Sequence, residues 1–113
     1  MQNLVRLRDY RNRPQPVFFD RHELHQLLTQ YSRRVISGEW RDYAIDHDSG
    51  MAIFSIFRHA ADRPAYTVVK SAPDAKGNSC YVLSAGPRRL KKGGSIEEVL
   101  AVLDRRPRIV FSA

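Results

Sequence analysis

The stretch from Phe18 to Trp40, FFDRHELHQLLTQYSRRVISGEW, decides the fold, because it predicts one amphipathic helix with clear start and stop signals. Asp20 is a natural N-cap, and Glu23 three residues later completes a capping box. Gly38 suits the left-handed conformation that often ends a helix. Apolar residues between these signals recur at helical spacing and form one stripe: Leu24, Leu27, Leu28, Tyr31 and Val35. Such a stripe needs an apolar surface to cover.

The residues after Trp40 predict that surface as a series of short strands. In residues 42–47, Tyr43, Ile45 and His47 alternate with Asp42, Ala44 and Asp46, which predicts a half-buried strand, and Asp48-Ser49-Gly50 is turn chemistry. The run MAIFSIFRH at 51–59 is almost continuously apolar, which predicts a central strand with two apolar faces. Further strands are predicted around 66–69 and 81–83, and residues 88–92 fit either a short strand or a loop. Short connections favour antiparallel pairing, since parallel strands need a crossover of about a dozen residues.

A second helix is predicted after Gly93-Gly94, with Ser95 and Glu98 as its capping box and Pro107 as its stop. Its apolar stripe is Ile96, Val99, Leu100 and Leu103. Residues 108–112 alternate again and predict a last edge strand. Two apolar stripes and one sheet predict an α+β two-layer sandwich, in which two helices cover one face of an antiparallel sheet of about four to five strands.

The length of 113 residues indicates one domain, with residues 1–16 as a basic N-terminal arm and residues 17–113 as a single α+β domain. A hydrophobic content of 42% and a charged content of 27% exclude disordered and membrane compositions. The N-terminus has no apolar segment typical of a signal peptide. Cys80 is the only cysteine, which excludes an intrachain disulfide. We therefore expect a cytoplasmic protein without a membrane partner.

A net charge of +7 and a pI of about 10.1 favour an anionic partner, nucleic acid first. Arginines late in both helices are explained by the helix macrodipole alone. Two other clusters are not, and they are the candidate nucleic-acid contacts: Arg6, Arg8, Arg11 and Arg13 in the arm, and Arg88, Arg89, Lys91 and Lys92 before the second helix. If the two clusters converge, binding should weaken steeply with salt, and Tyr10 or Tyr81 would be placed to stack on bases. No helix-turn-helix, zinc-finger or RNA-recognition signature is present.

An acidic segment between Glu39 and Asp62 supports the alternative of a protein-interaction adaptor. The candidate interface residues are Trp40, Asp42, Asp46 and Asp48. A solvated strand edge would explain the same carboxylates, and burial in the core would explain the same tryptophan.

Metal binding and catalysis have weaker patterns. His22 and His25 lie one helical turn apart, but no HExxH motif and no cysteine partner accompany them, so neither a metal nor a cofactor is expected. Asp46-His47-Asp48 contains the residues of an oriented general base, yet no nucleophile stands at an informative spacing. The sequence therefore predicts a non-enzymatic regulatory or accessory domain that binds an anionic macromolecule, with a small enzyme or metal-binding protein as the third alternative.

The segments FDRHEL, SGEWRDYAIDH and FSIFR together resemble a family of small alphaproteobacterial proteins, domain of unknown function twenty-seven ninety-four. The resemblance is close over Val17–Arg58 and looser beyond it. It implies a bacterial cytoplasmic protein. It supplies no catalytic residue, cofactor or substrate.

Overall fold

The computed structural model describes residues 16–59 and 63–105, which form two helices and five strands. The strands follow one another in the sheet in the order β1-β2-β3-β4-β5, and every neighbouring pair is antiparallel. The predicted α+β class is confirmed. In chain order the elements are α1 (Arg21–Ile36), β1 (Asp42–Asp48), β2 (Met51–Phe57), β3 (Tyr66–Ser71), β4 (Tyr81–Ala85), β5 (Arg88–Gly93) and α2 (Ile96–Arg105).

Four of the sequence predictions lie outside the described residues. They are the basic arm with Arg6, Arg8, Arg11 and Arg13, the base-stacking role of Tyr10, the helix stop at Pro107, and the edge strand at 108–112.

Helix α1 begins and ends where its capping residues predict. The backbone N–H of Glu23 donates to the Asp20 carboxylate at 2.8 Å, and the N–H of Asp20 donates to the Glu23 carboxylate at 2.8 Å. Gly38 has a φ of 82°, which confirms the left-handed cap.

The predicted apolar stripe of α1 shares only Leu27 with the row of residues that is buried. That row runs through Glu23, Leu27, Gln30 and Arg34. Leu24, Leu28 and Tyr31 pack against the core from its flank and are partly buried. The assignment of Val35 to the core was wrong, because its position in the last turn leaves it 39% exposed while the neighbouring Arg34 turns inward.

The strand predicted to be central, β2, is second in the sheet, and β3 occupies the centre. Short connections between consecutive strands produce a meander, in which the order along the chain is also the order in space. Because β2 is paired on both sides, it keeps the apolar composition of an interior strand. The turn before it is confirmed, since Ser49 and Gly50 have φ values of 50° and 77°.

The core lies between one face of the sheet, called here the inner face, and the two helices. Phe54, Val68 and Leu83 form a row across three strands, and each side chain is fully buried. Helix α2 contributes its whole predicted stripe: Ile96, Val99, Leu100 and Leu103. Both described helices therefore cover the inner face, as a two-layer sandwich requires.

The start of α2 differs from its predicted capping box by one residue. The N–H of Glu98 donates to the Ser95 hydroxyl at 3.2 Å, but the Glu98 carboxylate accepts from the N–H of Gly94 at 3.0 Å. A Cβ at Gly93 would lie 2.7 Å from Glu98 Cδ, so the glycine leaves space for this carboxylate.

The beginnings of the two helices are joined by His22 of α1 and Glu97 of α2. The hydrogen bond to Glu97 raises the pKa of His22 above 6.5, and the same bond lowers the pKa of Glu97 below 4.5. The His22 contribution to stability is complete below pH 6.5 and is lost as pH rises through the raised pKa. The Glu97 contribution is complete above pH 4.5 and is lost as pH falls through the lowered pKa.

The ion pair between His22 and Glu97 should therefore stabilise the fold at pH values between the lowered pKa of Glu97 and the raised pKa of His22. We expect the imidazole of His22 to titrate above 6.5 by NMR, and its midpoint to move down toward 6.5 in Glu97→Gln. The stability difference between wild type and His22→Gln should shrink as pH rises above the His22 midpoint. An unchanged midpoint in Glu97→Gln would show that the ion pair does not form in solution.

Candidate functional site

One end of the sheet collects arginines from separate segments of the chain. Arg41 precedes β1 and Arg58 follows β2, and the backbone N–H of Arg41 donates to the carbonyl of Phe57 at 2.8 Å. In an antiparallel pair, one strand begins at the end of the sheet where the other strand finishes. The two arginines are therefore neighbours, although the hairpin separates them along the chain.

The segment before β3 and the turn between β4 and β5 reach the same end. Ala65 donates its N–H to the carbonyl of Ile56 at 2.7 Å, which places the preceding Arg63 beside the end of β2. Arg88 and Arg89 begin β5 immediately after the Gly86-Pro87 turn. We refer to the set as the arginine end: Arg41, Arg58, Arg63, Arg88 and Arg89.

Two grooves that share Arg63 lie over this end of the sheet. The first has a volume of about 410 Å³ and is lined by Arg58, His59, Arg63 and Ala65. The second has a volume of about 320 Å³ and is lined by Arg63, Pro64, Thr67, Gly86 and Pro87. Together they form a depression that runs from the end of β2 to the β4–β5 turn.

The side chains of the arginine end are exposed, and their positive charges are not paired with carboxylates of the described residues. Within residues 16–59 and 63–105, none of the five forms an ion pair with a carboxylate. The guanidinium of Arg58 lies over the ring of Tyr66, 5.8 Å from its centroid, which holds that side chain in place. Buried Arg34 contrasts with this set, because it pairs with Glu39 at 3.2 Å and donates to the Leu103 carbonyl at 2.9 Å.

The side chains of the predicted cationic run, Arg88 to Lys92, lie in three different parts of the sheet because the run forms strand β5. Arg88 and Arg89 belong to the arginine end. Lys91 lies on the inner face, where its Nζ is 3.9 Å from a Glu98 carboxylate oxygen. Lys92 is exposed on the opposite, outer face. The alternation of side chains along a strand separates Lys91 from Lys92, so adjacency in sequence does not make one surface.

Sequence reasoning missed Arg41, Arg58 and Arg63 as members of a site. Arg41 and Arg58 lie inside a segment dominated by carboxylates, where they counted only as its opposing charges, and Arg63 directly follows that segment. Antiparallel strand pairing would have found them, because the start of β1, the end of β2 and the start of β3 lie at the same end of the sheet.

The acidic candidates do not share a surface with Trp40. The tryptophan is 2% exposed and packs beside Tyr66 at a ring distance of 6.0 Å, so it belongs to the core. Asp42, Asp46 and Asp48 are exposed on the edge strand β1. An interface built on these carboxylates would lack Trp40 as its aromatic contact.

The candidate general base is not assembled. His47 points to the inner face, where its Nδ1 is 2.9 Å from the carbonyl oxygen of Val17 and its ring contacts Phe18. Asp46 and Asp48 point to the outer face, because neighbouring side chains on a strand alternate. Neither carboxylate is therefore placed to orient the imidazole.

The histidine pair on α1, His22 and His25, does not form part of a metal site in the described residues. His22 bonds to Glu97, and the described parts of the chain contain no group of three histidine, cysteine or carboxylate residues suited to a metal ion.

A buried polar network lies at the opposite end of the sheet from the arginines. Lys70 Nζ is 2.8 Å from a Glu23 carboxylate oxygen and 2.9 Å from the carbonyl oxygen of Phe18. The Tyr81 hydroxyl donates to the same carboxylate, and burial, reinforced by this bond, raises the pKa of Tyr81. Tyr81 is thus part of the core network and is not available to stack on bases.

The fold and the arginine end define a small α+β sandwich with one strongly cationic sheet end. The chain matches, over residues 17–100, the family model described as Protein of unknown function (DUF2794), and it belongs to that family. The resemblance read from the sequence is confirmed. Neither the curated proteins nor the solved structures contain a match to this chain. In the part of the chain that is described, neither helix has the length and apolar character needed to cross a membrane.

Proposed function

We propose that this protein is a non-enzymatic regulatory or accessory domain that binds nucleic acid through the arginine end. The observation that carries the proposal is convergence. Arginines from four separate segments lie at one end of the sheet, where Arg58 and Arg63 line two neighbouring grooves. All five arginines are exposed and form no ion pair among the described residues.

The chemistry of the site suits phosphate groups better than other anions of a macromolecule. A guanidinium offers a rigid fork of donors that can bond two phosphate oxygens at once. A row of such groups along a groove matches the repeating charge of a nucleic-acid backbone. Both grooves share Arg63, so one nucleic-acid strand could contact Arg58 and Arg63 in succession.

The same site offers little for reading bases. The ring of Tyr66 is buried beneath Arg58, which occupies one of its faces. Contacts to phosphates position a protein on nucleic acid without selecting its sequence. We therefore expect binding that depends on charge and shape, with weak preference for base sequence.

The proposal predicts a strong, salt-dependent affinity for labelled oligonucleotides, measured by fluorescence anisotropy. If about four arginines contact phosphates, affinity should fall about 100-fold between roughly 50 and 200 mM salt. The double variant Arg63→Glu/Arg88→Glu should bind more than about tenfold more weakly, and its dependence of log K on log salt should be shallower by about 2.

A matched control is available at the other end of the molecule. Arg21→Glu/Lys76→Glu changes the net charge by the same amount at two exposed positions far from the grooves. This control should lose much less affinity than the arginine-end variant. Equal losses in the two variants would mean that net charge alone attracts the oligonucleotide, and they would remove the arginine end as a site.

A second candidate function is docking of a protein at the edge strand β1. Here Tyr43 and Ile45 are exposed on the inner face, beside Phe18, which is 58% exposed. Large apolar side chains exposed together often mark a contact surface. A salt-tolerant protein complex that is lost in Ile45→Lys, with no oligonucleotide binding, would favour this second candidate.

A further inference from the structure

The outer face of the sheet carries a row of side chains with acid at one edge and base at the other. Register places the five residues side by side, one from each strand: Asp46, Ile53, Val69, Val82 and Lys92. The three central residues are apolar and partly exposed, and the two charged residues are exposed.

This face is left open by the described elements. Both helices pack on the inner face, where their stripes join the buried core. One face of an antiparallel sheet often meets water, and its residues are then mostly polar. Here Ile53, Val69 and Val82 are continuous across the middle, and Met51 and Phe57 lie on the same face at the two ends of β2. The next row along the strands has four small side chains, Ala44, Ser55, Thr67 and Ser84, and ends at Arg89 on β5.

We propose that this outer face packs against the same face of a second copy of the chain. Two faces that are related by a twofold axis must be complementary to themselves. An axis along the direction of β3 places β1 of one copy over β5 of the other. Asp46 then faces the partner's Lys92, and the symmetry repeats the contact at the opposite edge.

The other in-plane axis, perpendicular to the strands, is excluded by charge. It would place β1 over β1, so Asp46 would face the partner's Asp46 at close range, and Lys92 would face the partner's Lys92. The pattern of acid, apolar centre and base therefore selects a single arrangement of the two copies.

The dimensions of packed sheets allow this arrangement. Sheets pack about 10 Å apart with their strands within about 30° of each other, and a lysine at one edge can reach a carboxylate across that gap. The apolar centre would be removed from water, and the charged pairs at the rim would set the register.

An axis along the strands also keeps both arginine ends on the same side of the dimer. The dimer itself does not rest on the proposed function and is tested without any oligonucleotide.

The experiment is a charge-swap series on the full chain, followed by sedimentation equilibrium across a range of concentrations. We expect a wild-type dimer. Asp46→Lys and Lys92→Asp alone should each weaken dimerisation at least tenfold, because each places like charges together twice. An equimolar mixture of the two variants should form a heterodimer of wild-type strength, since both opposite-charge contacts are restored.

Two further variants keep the result decisive. Val69→Lys, at the centre of the row, should abolish the dimer, and Lys76→Asp, in a loop away from this face, should leave it unchanged. Circular dichroism checks that each variant is folded. A wild-type protein that stays monomeric at every concentration would overturn the proposal. A dimer that is insensitive to both single charge variants would overturn it equally.

Discussion

Replacing Lys70 with methionine should lower the free energy of unfolding by about 3–5 kcal/mol. Lys70 Nζ lies 2.8 Å from a carboxylate oxygen of Glu23, and the Glu23 residue is only 5% exposed. Removing one partner of a buried ion pair leaves the other charge without compensation in a poorly solvated site. The same change also removes the donor to the carbonyl of Phe18.

Chemical denaturation at neutral pH measures this loss. Lys76→Met is the matched control, because Lys76 is an exposed lysine in the loop between β3 and β4, and its replacement should change stability by less than about 0.5 kcal/mol. Adding Glu23→Gln to Lys70→Met should recover part of the loss, since the buried charge is removed while an acceptor for the N–H of Asp20 is kept. Equal effects of the two lysine variants would show that the buried pair does not stabilise the fold.

Replacing Phe54 with alanine should cost about 3–5 kcal/mol. Phe54 is fully buried on the inner face of β2, between Ile45 on one neighbouring strand and Val68 on the other. Truncation to alanine removes most of its apolar contacts and leaves a cavity that a five-stranded sheet and two helices cannot close easily.

Phe57 on the same strand provides the comparison, since its side chain points to the outer face and is partly exposed. Phe57→Ala should cost only about 1 kcal/mol in the Asp46→Lys background at a protein concentration low enough to keep it monomeric, measured by the same denaturation experiment. In the wild-type background its cost should rise with protein concentration, because the proposed dimer would bury this face. Equal costs for the two phenylalanines in the monomer would contradict the assignment of one covered and one open face.

Local pattern was sufficient wherever a structure depends on neighbours along the chain. The capping box of Asp20 and Glu23, the left-handed Gly38 and the turn at Ser49-Gly50 were all predicted, because each depends on residues within about one turn of each other. The same holds for the stripe of α2 and for the class of the fold, which follows from the alternation and periodicity of apolar residues.

Pairing between segments that are distant along the chain decided which charged side chains share a surface and which are buried. Alternation within β5 sends Lys91 and Lys92 to opposite faces, and the meander brings Arg41, Arg58 and Arg63 to the end where Arg88 begins β5. The inward turn of Arg34 and the burial of Glu23 likewise depend on partners far away in the chain.

Sequence by itself determined the elements, their caps and the excess of positive charge, because propensity, periodicity and composition are local quantities. Only the tertiary structure decided which charges share a surface, which are neutralised in the core and which face of the sheet the two described helices leave uncovered. The physical reason is that those outcomes depend on strand register and on distances between residues remote in sequence, which a linear pattern does not contain.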